Sequence, residues 1–217
     1  MTKKEILLKH SKYLAGYLLI TWGVYRLCFD FPEVFEEILI KPVVWLLPVF
    51  YLIKKEKLGF RSLGFVKKNL FPSFYLALAL GVGFAFEGLL INVLKYQGVN
   101  FTVDLGLPYK SFIAAFFLSL VTAITEETTF RGYLFNRVWK GTGDEVTANL
   151  ITSFVWALIH IPMALLWWKI GIFQSIGYFF LIMIFGMGSS FVFARTGNIA
   201  SSILLHVFWE WPIILFR

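Results

Sequence analysis

The sequence predicts an all-α fold, a polytopic bundle of about seven transmembrane helices, and three observations predict it. Hydrophobic residues make up 59% of the 217 residues and charged residues only 15%, against roughly 45–50% and 25% in ordinary globular domains. Aromatic residues reach 19%, with 25 Phe and 8 Trp, more than one small water-soluble core hides. Apolar blocks long enough to cross roughly 30 Å of hydrocarbon recur along the whole chain. In lipid every backbone polar group needs an internal partner, which leaves helices for blocks of this length. The chain is read as one integral membrane domain, residues 1–217.

The blocks follow in order. The first is Tyr13–Phe29 and the second Glu36–Ile53, the latter interrupted by Lys41, Pro42 and Pro48. Leu70–Leu94, Phe112–Phe135, Val146–Trp168, Gly171–Ala194 and Asn198–Phe216 complete the set. The Lys-rich start lacks a small-x-small cleavage site and carries bulky aromatics and Arg26, so it reads as a retained first span. The segment Leu58–Asn69 mixes basic and apolar residues and is expected to lie along the membrane interface. Gly186, Gly188, Ser189 and Ser190 suit close helix contact within a span.

Charge sets an orientation. Lys3, Lys4, Lys9, Lys12, Lys54, Lys55, Lys57, Arg61, Lys67, Lys68, Arg131, Arg137, Lys140 and Arg195 fall on one side. Arg26, Lys41, Lys95, Lys110, Lys169 and Arg217 fall on the other, where the first loop adds Asp30, Glu33, Glu36 and Glu37. Cytoplasmic loops carry the Lys/Arg excess, which places the N-terminus in the cytoplasm and the C-terminus outside. The net charge of +7 is thus a matter of topology. No base-reading motif accompanies it, and nucleic acid is excluded as a partner. The single cysteine, Cys28, excludes an internal disulfide and a thiolate metal cluster.

The chemistry lies in ionisable groups within hydrocarbon, where each costs about 2.5–3.5 kcal/mol on insertion scales and survives by pairing or by use. Glu126 and Glu127 point about 100° apart on a helix, so they serve different partners. Glu127 and Arg131 are i, i+4 with the acid first, the better ion-pair orientation. Glu126 is expected to lack a local counter-charge and to face the bundle interior. His160 lies mid-span, one turn after Trp156 and just before Pro162, which frees backbone carbonyls. His206 and Glu210 share a face of the last span, and i, i+4 spacing also suits metal chelation; no H-E-x-x-H motif is present. Glu87 is expected to make a helix-to-helix hydrogen bond. Depth along the spans brings Glu126, His160 and His206 within reach of one cavity.

These residues resemble the motifs of a known family. EETTFR (Glu126, Glu127, Arg131) resembles the E-E-x-x-x-R motif of the CPBP intramembrane proteases, which include CAAX prenyl protease 2. WALIH (Trp156, His160) is similar to their F-x-x-x-H, and HVFWE (His206, Glu210) to their H-x-x-x-N. The resemblance covers residues 112–211 and implies a peptide-bond hydrolase within the membrane, acting on a peptide or lipidated protein substrate. It implies a water activated by Glu126 with His160, an oxyanion stabilised by His206, and a site oriented by Glu127 and Arg131. On the N-in topology, depth along the spans places these residues at or to the cytoplasmic side of mid-membrane, so a polar cavity opening toward the cytoplasm is expected. Glu210 stands where the family has Asn, and an ionised Glu cannot donate to an oxyanion. Two mechanisms stay open: a metal-free glutamate mechanism, which is preferred, and a zinc set of Glu126, His160, His206 and Glu210. Two other classes of function also stay open. One is a non-catalytic immunity or assembly factor of the same fold. The other is a proton-coupled transporter using Glu87, Glu126, Glu127 and Glu210 as a carboxylate relay.

Overall fold

A computed structural model describes residues 2–98 and 112–216 of the chain. Seven helical rods occupy the seven expected blocks, and most extend beyond the apolar run that predicts them. Helix α1 is Lys3–Cys28. Helix α2 covers 33–55 and consists of Glu33–Phe35, a π-helical turn Glu36–Ile40, and Lys41–Lys55. Helix α3 is Leu70–Tyr96, α4 is Phe112–Thr142, α5 is Glu145–Trp167, α6 is Ile172–Thr196 and α7 is Ile199–Leu215. Among the described residues, α3, α4, α5 and α6 are long and apolar enough to cross a membrane by length and composition. The other three fall short for visible reasons: α1 begins in lysines, α2 carries Glu36, Glu37 and Lys41, and α7 has only 17 residues.

The helix ends are set locally. Thr2 and Glu5 form a reciprocal capping box at the start of α1, Asp144 accepts the Val146 and Thr147 amides at the start of α5, and Asn198 accepts the Ala200 amide at the start of α7. Gly143 and Gly197 take left-handed conformations that close α4 and α6.

Tertiary contacts define the two ends of the bundle. At one end lie the start of α1, the α2–α3 loop, the α4–α5 turn and the α6–α7 turn. Glu56 accepts from His10, Tyr133 and Arg137 there, and Arg137 also donates to the Ser62 carbonyl and hydroxyl. Asn198 donates to the carbonyls of Val66 and Lys68. The segment 58–69 is therefore tied to α4 and α7 while Phe60 and Phe65 stay exposed. At the opposite end Trp167 donates to the Arg26 carbonyl and Asn92 to the Ile213 and Phe216 carbonyls.

The charge tally changes with the structure. Arg131 and Arg137 are fully buried, and so are Arg26 and Lys41, which pair with Glu36 and Glu37. These four are internal ion-pair partners, not loop charges. Lys110 and Arg217 lie outside the described residues. The bias survives: twelve of the fourteen residues counted at the basic end are exposed.

Candidate active site

The three motif helices and α2 converge on one cavity of about 490 Å³. Glu126, His160, His206 and Glu210 line it, with Lys41, Glu36, Glu37 and a wall of Trp22, Trp45 and Trp209. Glu127 and Arg131 sit behind this surface, 0% and 1% exposed at their side chains.

Glu126 and Glu127 serve different partners, as their angular separation requires. One Glu126 oxygen, Oε1, accepts from Lys41 Nζ at 2.9 Å; the other, Oε2, accepts from Trp156 Nε1 at 2.7 Å. The counter-charge of Glu126 is not local in sequence: α2 supplies it from 85 residues away. Lys41 is itself shared with Glu37 at 2.5 Å, and Thr122 donates to the same Glu37 oxygen at 2.8 Å. The result is a buried chain Thr122–Glu37–Lys41–Glu126.

Glu127 holds the other half. Its Oε1 accepts from Arg131 Nη1 at 3.1 Å and lies 2.7 Å from His206 Nδ1, while Oε2 accepts from Ser189 at 2.6 Å. Arg131 also donates to the Gly186 carbonyl and lies over the Trp156 ring at 4.6 Å. A Cβ on Gly186 would sit 3.1 Å from Arg131 Nη2, and one on Gly188 2.3 Å from the Phe84 ring. The small residues of α6 thus pack helices closely, and Ser189 does more by fixing Glu127.

Both histidines have one ring nitrogen engaged by an acceptor. His160 Nδ1 lies 2.7 Å from the Trp156 carbonyl, so it carries a proton and leaves Nε2 toward Glu126 Oε2 at 3.9 Å. His206 Nδ1 donates to Glu127, and its Nε2 is 3.9 Å from Glu210 Oε2. That Glu210 oxygen is buried and makes no hydrogen bond. Glu87 makes the expected interhelical hydrogen bond, accepting from Trp209 Nε1.

π-helical turns adjoin the site on three helices: Glu36–Ile40 before Lys41, Thr128–Phe135 after Glu127, and Met163–Trp167 after His160 and Pro162. Such turns recur at functional sites because the extra residue re-aims side chains within a continuous helix. Periodicity at 3.6 residues does not reveal them.

Among the described residues no three His, Cys, Asp or Glu side chains are grouped to hold a metal ion. The Glu126 carboxylate already carries an ammonium on one oxygen and an indole N–H on the other.

The mouth of the cavity lies at one end of the bundle. Its exposed lining residues are Asp30, Phe31, Pro32 and Glu33, joined by Lys95, Trp167 and Trp168, all at the end opposite the N-terminus and the basic loops. Trp45 lines the cavity, and the buried Phe130 ring packs edge-on against it with centroids 5.6 Å apart.

Lys41, Glu37, Thr122 and Ser189 were not singled out as site residues from the sequence. A signal for two of them was present: Glu37 and Lys41 are i, i+4 within an apolar block, the same pattern that marked Glu127 and Arg131.

Fold and site together define a helical integral membrane protein with a buried carboxylate–histidine centre. Residues 108–212, 105 of the 217, match the family model described as Rce1-like, type II CAAX prenyl endopeptidase Rce1-like. This segment, just under half of the chain, is similar to the CPBP/CAAX intramembrane protease family. Comparison with curated proteins and with solved structures gave no match. Lys41, Glu36 and Glu37 come from outside the matched segment.

Proposed function

We propose that the protein is an intramembrane endopeptidase that hydrolyses a peptide bond in a membrane-associated substrate without a metal ion. The observation that carries this reading is the 3.9 Å gap between Glu126 Oε2 and His160 Nε2 at the cavity wall. It is too long for a direct hydrogen bond and short enough for one water to touch both groups at about 2.8 Å.

In this mechanism Glu126 takes a proton from that water as its oxygen bonds to the scissile carbonyl carbon. The Trp156 carbonyl fixes the His160 tautomer, so Nε2 accepts from the water and aims it. Lys41 holds Oε1 and leaves Oε2 facing the water. His206 Nδ1 donates to the Glu127 carboxylate at 2.7 Å, which aims Nε2 of the ring at the oxyanion, where its protonated form donates. The C–N bond then breaks, and the proton held by Glu126 passes to the departing amine. General-base catalysis of this kind contributes roughly 10²–10⁴-fold and one oxyanion donor roughly 10²–10³-fold.

The test is cleavage of a quenched fluorescent peptide ending in a prenylated cysteine and three further residues. Glu126→Gln and His160→Ala should each lower the rate by about 10²-fold or more while the protein stays inserted. Wild-type rates from both variants would remove the assignment.

A second reading, a non-catalytic membrane immunity or assembly factor, is favoured by one observation. Glu210 places an unpartnered carboxylate oxygen 3.9 Å from His206 Nε2, where the oxyanion would form. Biological function that persists in a Glu126→Gln, His206→Ala double variant would support this reading over hydrolysis.

A further inference from the structure

Glu87 is a carboxylate within the apolar helix α3 that the hydrolytic mechanism does not use. A carboxyl placed there is costly and is kept by pairing or by use. Its Oε2 accepts from Trp209 Nε1 of α7, whereas Oε1 is buried and makes no hydrogen bond. The next residue meets the same partner: a Cβ on Gly88 would sit 2.3 Å from the Trp209 carbonyl oxygen. Adjacent residues of α3 therefore hold Trp209 twice, Gly88 by letting its backbone approach and Glu87 by fixing the rotation of its ring.

That ring is part of the site. Trp209 is buried and lines the cavity. It stacks on Phe185 with centroids 4.3 Å apart and meets the His206 ring edge-on at 5.4 Å. Phe185 and Trp156 meet the same imidazole edge-on at 5.1 and 5.9 Å. Three aromatic rings thus box His206, while Glu127 holds its Nδ1. A single hydrogen bond fixes one atom of a ring; the box fixes its plane, and with it the direction of Nε2. Each indole of the box is anchored through its N–H by a carboxylate, Trp156 by Glu126 and Trp209 by Glu87.

We propose that Glu87 is a positioning residue: it locks the Trp209 ring, and that ring holds the His206 imidazole with Nε2 aimed at the reacting carbonyl. Glu87 lies outside the residues 108–212 that match the family model, so α3 completes a site that the matched segment does not build alone. The effect on rate rests on the hydrolytic reading, whereas the coupling from Glu87 to the His206 ring rests on geometry alone.

The test compares Glu87→Gln, which keeps an acceptor for the indole, with Glu87→Leu, which keeps bulk without one. On the quenched prenylated peptide, Glu87→Leu should lower kcat roughly three- to tenfold, the order of one aromatic contact, with KM unchanged. Glu87→Gln should keep most of the rate, because an amide carbonyl accepts as a carboxylate does. Trp209→Phe, which keeps a ring without the N–H, should show the same loss as Glu87→Leu, and the double variant should lose no more than the larger single one. A loss in Glu87→Gln equal to that in Glu87→Leu would give Glu87 a proton-handling role and overturn the proposal. Lower thermal stability of Glu87→Leu at unchanged kcat would make the bond structural only, and overturns it equally. The chain has 3 histidines, so NMR of protein carrying isotope-labelled histidine follows each ring. The His206 signals should shift in Glu87→Leu and stay in Glu87→Gln, with His10 unmoved in both. Unchanged His206 signals in Glu87→Leu remove the coupling. If wild-type protein cleaves nothing, the hydrolytic reading fails, and these signals alone decide whether Glu87 holds the His206 ring.

Discussion

Lys41 and Glu126 form a buried ion pair, Nζ to Oε1 at 2.9 Å, that joins the N-terminal helices to the first motif of the Rce1-like segment. The ammonium is shared with Glu37, so one lysine sits between two carboxylates with at most 11% side-chain exposure among the three. Removing one partner of such a buried pair leaves an uncompensated charge and costs about 3–5 kcal/mol. Lys41→Met should therefore lower both thermal stability in detergent and the cleavage rate. Lys41→Arg should restore more of the rate than of the stability, since charge is kept and fit is not. In a Lys41→Met, Glu37→Gln double variant the stability losses should be far from additive, as expected of one network. Additive losses would mean that Glu37 and Lys41 act separately.

On the proposed hydrolytic reading Glu210 stands where an oxyanion donor would lie, and an ionised carboxylate cannot donate. Glu210→Asn supplies an amide N–H at the same position and removes a negative charge. The expected outcome is a rise in kcat of about tenfold, within the roughly 10²–10³-fold worth of one such donor. A fall in kcat would show that the carboxylate has a role of its own.

Two glycines of α3 separate packing from helix propensity. A Cβ on Gly88 would lie 2.3 Å from the Trp209 carbonyl oxygen, a backbone atom that moves only if α7 moves. Gly88→Ala should cost about 1–3 kcal/mol by overpacking. Gly83 has nothing within 4 Å of its would-be Cβ, so Gly83→Ala should be neutral or stabilising by up to about 1 kcal/mol. Thermal denaturation of both variants in the same detergent checks the contrast.

Asp144 caps α5 outside the hydrocarbon. Hydrogen bonds from Thr147, and the Val146 amide beside it, hold its carboxyl below the usual aspartate range. A depressed folded-state pKa means that the carboxylate stabilises the helix start above the unfolded value, about 3.9, and that this is lost as pH falls through the lower folded value. Hydrogen exchange at the Val146 and Thr147 amides, corrected for intrinsic rates, should show protection at pH 6 that declines in strong acid. Asp144→Ala should remove that pH dependence.

The motif residues were legible because an ionisable side chain in an apolar block is costly and stands out without any structure. Glu126, Glu127, Arg131, His160, His206 and Glu210 all announced themselves in this way, and i, i+4 spacing paired Glu127 with Arg131 correctly. Lys41 carried the same signal and was read as a loop charge, because the acids before it suggested a loop. The π-turn that buries Glu36 and Glu37 leaves no trace in a 3.6-residue pattern. Ser189 was read as packing because a hydroxyl among glycines says nothing about which carboxylate lies opposite.

By itself the sequence determined the all-helical bundle, the positions of its seven rods, and the motif side chains that face its interior. Hydrophobic length, helical periodicity and the cost of a buried charge are local properties, and each can be summed along the chain. Only the tertiary structure decided that Lys41 answers Glu126, that Glu127 holds His206, and that the cavity opens away from the basic loops. Those facts depend on which helices are neighbours and how far each is rotated, and Coulomb pairing across 85 residues has no signature in local order.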